Sequence, residues 1–224
     1  YTKEAITRLS ADLSHISKER IQTELNKILE SPSPDKISLL WETGLYGAIF
    51  PFIESLSSMW LTLANHFVGS INQRLILTAL LFYISFETHK QERARKLLND
   101  LKYDNETKRS VSAYLKCLES FGPASPRNIR KAVGEFGAMV TADVFEALSI
   151  INPHKNTNVD FSEMIREMPP IKLSLSGSDL KDAGYKGKEI KDMFSILSLC
   201  VFEKPELNDR QTLLEIAKTI TRPR

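Results

Sequence analysis

The sequence predicts an all-α fold, and three observations carry that prediction. Apolar residues recur at three- and four-residue spacing along most of the chain. No run alternates with period two for long enough to support a sheet. Breaks rich in Gly, Pro, Asn and Ser punctuate the periodic segments at helical lengths, yet no fixed repeat with matching residues accompanies that rhythm.

Taken in order, Ala5, Ile6, Leu9 and Leu13 define a first helix over residues 2–13. Ser17 is a candidate N-cap for a second, whose Ile21, Leu25, Ile28 and Leu29 share one face until Ser31-Pro-Ser-Pro34 stops it. A third runs from about Asp35, with Ile37, Leu39, Leu40 and Trp41 inward, to a left-handed C-cap at Gly44. Pro51 breaks the following apolar stretch, and Leu56, Met59, Trp60, Leu63 and Phe67 mark the next helix. Residues 71–86 form the most hydrophobic one, and basic, polar-faced helices follow over 91–101 and 105–121. Gly122-Pro-Ala-Ser-Pro126 interrupts before helices over 127–136 and 141–150. A polar loop at 152–158 and a break at Met168-Pro-Pro170 precede two final helices, 189–202 and 209–220.

Composition narrows the function. With 224 residues and 42% hydrophobic content the chain can build a core, and a formal charge of only +2 lacks the bulk basicity that dictates nucleic-acid binding. Any such role must rest on local patches. Cys117 and Cys200 sit far apart in apolar segments, as buried reduced thiols do. The longest apolar run, residues 75–86, is well short of the roughly 20 residues a bilayer span needs, so no membrane role is expected. Tyr1-Thr-Lys-Glu-Ala-Ile carries no secretory signal and reads as a helix cut from something longer, which gives a cytoplasmic expectation.

The stretch from Ile171 to Phe194 poses the chemical question, because it packs Gly177-Ser178, several acids and Lys181, Lys186 and Lys188 together. A nucleotidyltransferase metal site needs such a Gly-Ser turn before an Asp-x-Asp pair on a strand. Here the acids at usable distance, Glu189 and Asp192, form no such pair, and the intervening sequence is helical. A P-loop fails as well, since Gly184-Tyr-Lys-Gly-Lys188 lacks both spacing and hydroxyl. What remains is a helix start capped by Ser176, Ser178 or Asp179, and a second start near Gly187. Two helix N-termini beside three lysines attract phosphate; the plainer reading is a solvated turn. The four histidines form no metal-ligand set, and no nucleophile elbow appears.

Basic clusters are the remaining signal: residues 90–96, 102–109, and Arg127, Arg130 and Lys131, the last three on one helix face. Singly each is a solvated face; together they make a phosphate-tracking surface.

Ser17-Lys-Glu-Arg-Ile-Gln-Thr-Glu-Leu25, the Leu29-Glu-Ser-Pro32 stop, Leu39-Leu-Trp-Glu-Thr-Gly-Leu45 and Phe50-Pro51 resemble the neck of bacterial class II CCA-adding enzymes. These are tRNA nucleotidyltransferases of the poly(A) polymerase family. Leu175-Ser-Gly-Ser-Asp-Leu180 with Gly184, Gly187 and Ile190 resembles the start of that family's tail, while residues 55–165 match only as a helical body.

The resemblance implies a neck over 1–50, a body over 51–168 and a tRNA-binding tail over 169–224. It also implies a catalytic head, holding the Asp-x-Asp pair, two magnesium ions and a Glu-Asp-x-x-Arg template for CTP and ATP. None of those motifs stands in this chain, so this portion is expected to hold the tRNA acceptor and T-stem region without catalysing alone. Arg20 and Glu24 match the neck motif, with the implied role of bracing the nucleotide pocket as an i, i+4 pair. Lys181, Lys186, Lys188, Arg127, Arg130 and Lys131 become the expected tRNA contacts. Two other readings stay open: a helical protein-interaction module, and the same portion of a bacterial poly(A) polymerase.

Overall fold

A computed structural model describes residues 2–121, 124–153 and 172–220. Every regular element among them is helical, and none is a strand. In chain order the α-helices are α1 (Thr2–Arg8), α2 (Lys18–Glu30), α3 (Leu39–Glu42), α4 (Tyr46–Ile49), α5 (Ser58–His66), α6 (Gln73–Ser85) and α7 (Lys90–Asp100). They continue as α8 (Asn105–Ser120), α9 (Pro126–Phe136), α10 (Ala138–Ile151), α11 (Gly177–Asp182), α12 (Lys188–Glu203) and α13 (Arg210–Thr219). Packing divides the chain into two compact units, residues 1–122 with 143–157 and residues 123–142 with 158–224. These units cut across the neck, body and tail boundaries, because α9 packs with α12. The loop expected at 152–158 and the break at 168–170 lie almost wholly outside the described residues.

The first unit is built around α6. Its sequence QRLILTALLFYIS has no polar stripe, so neighbours must cover it on every side. Ile76, Leu77, Ala79 and Leu80 are fully buried, and α2, α5, α7 and α8 pack against it. Trp60 on α5 is fully buried, and its indole N–H donates to the Leu77 carbonyl at 3.0 Å. Asp143, at the α10 end of this unit, accepts hydrogen bonds from the Tyr114 hydroxyl and, at 3.4 Å, from Asn72 Nδ2. Burial raises the Asp143 carboxyl above its ordinary range despite those donors.

Gln73 joins α2 to the start of α6. It is buried, and its amide Nε2 donates to the Leu29 and Ser31 carbonyls, each at 2.8 Å, at the frayed end of α2. Its Oε1 accepts from the Gly69 amide at 2.7 Å. Arg74 adds an ion pair to Glu30 at 2.8 Å, and the Tyr103 hydroxyl donates to Asn26 at 2.8 Å. The Tyr103 phenol, mostly removed from water, is pushed up to about 12.

Two expected helices are shorter than their periodicity indicates. The first ends at Arg8, where the Leu9 amide is shared between the Ala5 and Ile6 carbonyls, and a 3₁₀ turn over Ser10–His15 follows. Ile6 and Leu9 stay exposed, so no packing rewards an extended helix there. The segment from Asp35 opens as a 3₁₀ turn (Pro34–Ser38) before α3, which leaves Leu39 exposed where an inward position is expected. Ile37 is fully buried, and Gly44 takes the left-handed conformation with φ +75°.

The second unit encloses its own core of Leu175, Leu180, Tyr185, Met193, Leu197, Val201, Leu213 and Ala217. On α9, Ile129 and Ala132 are fully buried. Gly134 faces the Phe202 ring so closely that a Cβ would stand 2.3 Å from it, which accounts for glycine inside that helix. Cys117 is fully buried in the first unit and Cys200 half-buried in the second; neither forms a disulfide.

Replacing Gln73 by Leu removes the donor to the buried Leu29 carbonyl, together with part-buried bonds to the Ser31 carbonyl and the Gly69 amide. An unsatisfied buried group costs about 1–3 kcal/mol. Urea unfolding of the Gln73→Leu protein is therefore expected to show a loss of about 2 kcal/mol or more, against less than about 0.5 kcal/mol for a substitution at exposed Arg95.

Candidate RNA-binding surface

The N-terminal segment is organised by Trp41. Its ring stacks on Tyr46 at 5.8 Å and on Phe50 at 5.6 Å, both within 8° of parallel. Its indole N–H donates to the Ile53 carbonyl at 3.0 Å. The Ile53 amide in turn donates to the Phe50 carbonyl at 2.9 Å, closing a turn with Pro51 and Phe52 at its outer corner. Phe50 and Ile53 point inward and are buried, which leaves Phe52 projecting with 48% of its surface exposed.

Arg20 and Glu24 are both exposed on α2. Among the described residues they do not form the i, i+4 ion pair expected of them. Glu24 instead accepts from Lys27 at 2.8 Å, and the Arg20 amide, not its guanidinium, is held by the Ser17 cap at 3.3 Å. The Glu24–Lys27 arrangement wins because an acid placed ahead of a base one turn on also suits the helix dipole.

The stretch from Ile171 resolves into helix caps. Ser176 and Asp179 form a full capping box, with the Ser176 amide donating to Asp179 Oδ2 at 2.7 Å. Asp179 Oδ1 also accepts from Arg210 Nε at 3.1 Å and Nη2 at 2.5 Å, so one carboxylate ties the start of α11 to the start of α13. The Arg210 guanidinium, followed by the Ser176 donors, holds the Asp179 carboxyl far below its usual range. Gly187, with φ +49°, opens α12 without a side-chain cap, and the Glu189 carboxylate accepts the Lys186 amide at 2.9 Å. A carboxylate thus already occupies part of the phosphate-attracting helix start.

Lys181, Lys186 and Lys188 are exposed, as are Arg127 and Lys131. All five share the second unit with Arg130. They do not converge on one spot. Arg130 is half-buried and its Nε donates to the Phe202 carbonyl at 3.1 Å, near the end of the helix that Lys188 begins. At 1.5 Å per residue those two positions are about 21 Å apart along α12. Arg130 satisfies an orphan C-terminal carbonyl and meets the negative end of the dipole.

Other basic residues are likewise committed to helix ends. Lys90 Nζ donates to the Tyr83 carbonyl at 2.6 Å and to that of Phe86, closing the end of α6. Partial burial lowers its pKa, with Glu119 and Glu87 opposing. Lys108 donates to Asn99 at 2.9 Å. Sequence reasoning passes over the cations on aromatic rings, Arg93 on Phe86 and Lys96 on Phe52, each at 5.1 Å. It also misses the hydrogen bond between His66 Nε2 and the Glu146 carboxylate at 2.6 Å, which spans 80 residues of sequence. Phe50-Pro51-Phe52 was the available signal for the first, since a Pro-led turn between apolar residues must turn one outward.

Among the described residues no three His, Cys, Asp or Glu side chains converge to hold a metal ion, so they do not fit a magnesium pair. No described helix is long and apolar enough to cross a membrane.

The class of segment this geometry belongs to emerges from comparison with known families. Residues 1–56, which include Trp41 and its partners, match the family model described as the probable RNA and SrmB-binding site of polymerase A. This makes the N-terminal quarter of the chain similar to the RNA-binding region of polymerase A. No curated protein matches the chain.

The Asp179 clamp has a pH consequence. Its folded pKa is depressed, so its contribution is present above the ordinary value of 3.8 and is lost as pH falls below it. The Asp179→Asn protein should be less stable than the parent at pH 7, with the gap narrowing between about pH 4 and pH 2. Urea midpoints followed by circular dichroism across that range check it; a gap that does not change with pH would rule it out.

Proposed function

We propose that this chain is the RNA-holding portion of a CCA-adding tRNA nucleotidyltransferase. The match of residues 1–56 to the RNA-binding region of polymerase A carries the reading, supported by the neck and tail motifs. In this role the second unit grips the acceptor and T-stem region of tRNA through Lys181, Lys186, Lys188, Arg127 and Lys131. Arg130 contributes by fixing the end of α12 on which that surface is built. Arg20 and Glu24 brace a nucleotide pocket, with Lys27 orienting the carboxylate.

Catalysis belongs to a head domain carrying an Asp-x-Asp pair for magnesium and a template for CTP and ATP, and such motifs do not occur among these 224 residues. The residues here supply binding and orientation only. Recognition is phosphate-led and shape-based, because the deep, narrow major groove of A-form RNA hides its base edges. Poly(A) addition is the second reading, and the polymerase A description of the matched segment favours it. A cytoplasmic setting suits either substrate.

Fluorescent tRNA lacking its CCA end, compared with a DNA duplex of similar length from low to physiological salt, tests the reading. Tighter tRNA binding with a steep salt slope is expected, and Lys186→Ala with Lys188→Ala should flatten that slope by about two. Equal binding of tRNA and DNA would refute the tRNA grip. In a second assay the purified chain should transfer no label from CTP to tRNA; incorporation would overturn the division of labour between head and grip.

A further inference from the structure

Phe52 forms one wall of a cavity of about 340 Å³ in the first unit, completed by His89, Glu92, Arg93 and Lys96. None of these residues is among the expected tRNA contacts. The exposed ring is not a loose side chain. Its turn is closed by the Phe50–Ile53 hydrogen bond, flanked by two buried neighbours and tied to Trp41. The opposite wall is the first part of α7, where Arg93 and Lys96 stand one turn apart.

The chemistry of the lining is specific. Arg93 and Lys96 are two basic side chains, and among the described residues neither is seen paired with a carboxylate. Arg93 lies over the Phe86 ring and Lys96 over Phe52. The single acid, Glu92, stands 3.9 Å from His89 Nδ1. His89 begins α7 in the left-handed conformation, φ 54°, a position few non-glycine residues adopt. A half-exposed aromatic face beside unpaired cations is the pattern that receives a nucleobase and its flanking phosphates. A paired duplex cannot present an unstacked base to it.

We infer that this cavity binds one unpaired nucleotide of single-stranded RNA, with the base stacked on Phe52 and its flanking phosphates held by Arg93 and Lys96. The inference rests on the RNA-binding reading above and adds a site for single strands apart from the lysines of the second unit. Phe52 falls within the matched residues 1–56, while the cations come from α7 outside them.

The test uses an RNA octamer of adenines with 2-aminopurine at its centre, and an RNA hairpin with the same number of phosphates, its stem fully paired and closed by a non-nucleotide linker. Binding of the 224-residue chain should quench 2-aminopurine, as stacking does. Phe52→Ala is expected to weaken octamer binding by about 5- to 150-fold, the range for loss of one stacked base. It should also abolish the quenching and leave the hairpin affinity unchanged. Phe52→Trp should retain both binding and quenching, which separates stacking from a folding defect. Lys96→Ala should lower the salt slope for the octamer by about one. Octamer binding by Phe52→Ala equal to that of the parent would overturn the site while tRNA binding stood. Failure of the parent chain to bind either RNA would overturn both proposals.

Discussion

A helix with no polar side has no stable position at a surface, and α6 imposes that constraint on the first unit. Sequence QRLILTALLFYIS buries on every face, so α2, α5, α7 and α8 must surround it. Such enclosure leaves backbone ends buried or partly buried. The protein answers at each end with a side chain: Gln73 serves the carbonyls at the end of α2, and Lys90 serves those at the end of α6 itself. The fully buried Trp60 indole does the same for Leu77 midway along the helix. Burial and hydrogen-bond satisfaction are therefore one problem here, as expected where a lost partner costs more than a made bond gains.

The same economy explains why cations counted along the sequence overstate the binding surface. Lys90 and Arg130 close helix C-termini, and Arg210 closes a capping box through Asp179. Each charge meets the end of a helix dipole or a carboxylate already committed to one. Lysines 181, 186 and 188 are left at the surface. Net charge is near neutral for a separate reason, since 28 acidic residues balance 30 basic ones.

Helix identity was legible for the longer elements, since three- and four-residue apolar spacing depends only on which face is buried. Ser17 and Ser176 as caps, and Gly44 as a left-handed stop, were legible from residue chemistry alone. Boundaries failed where packing gives a face nothing to bury against, as at Leu9 and Leu39. The short α4 lay below the length that periodicity can register. Long-range ties such as Gln73 to Leu29, or His66 to Glu146, carry no local signal, because a glutamine or a histidine reads alike on a surface and in a buried joint. The candidate site divides along the same line. Its lysines could be counted from the sequence, but the distance along α12 between Lys188 and the Arg130 contact at Phe202, and the outward turn of Phe52, are tertiary facts.

The placement of sulfur and indole gives each unit a chemical reporter and the first an optical one as well. Trp41 and Trp60, the two tryptophans of the chain, both lie in the first unit, so tryptophan emission originates in that unit alone. The thiols divide evenly, with Cys117 sealed inside the first unit and Cys200 half-shielded in the second. Alkylation at Cys117 must wait for opening around α8, whereas Cys200 needs only a local excursion of α12. Mass-resolved labelling of the two sites would time the breathing of each unit within one unmodified polypeptide.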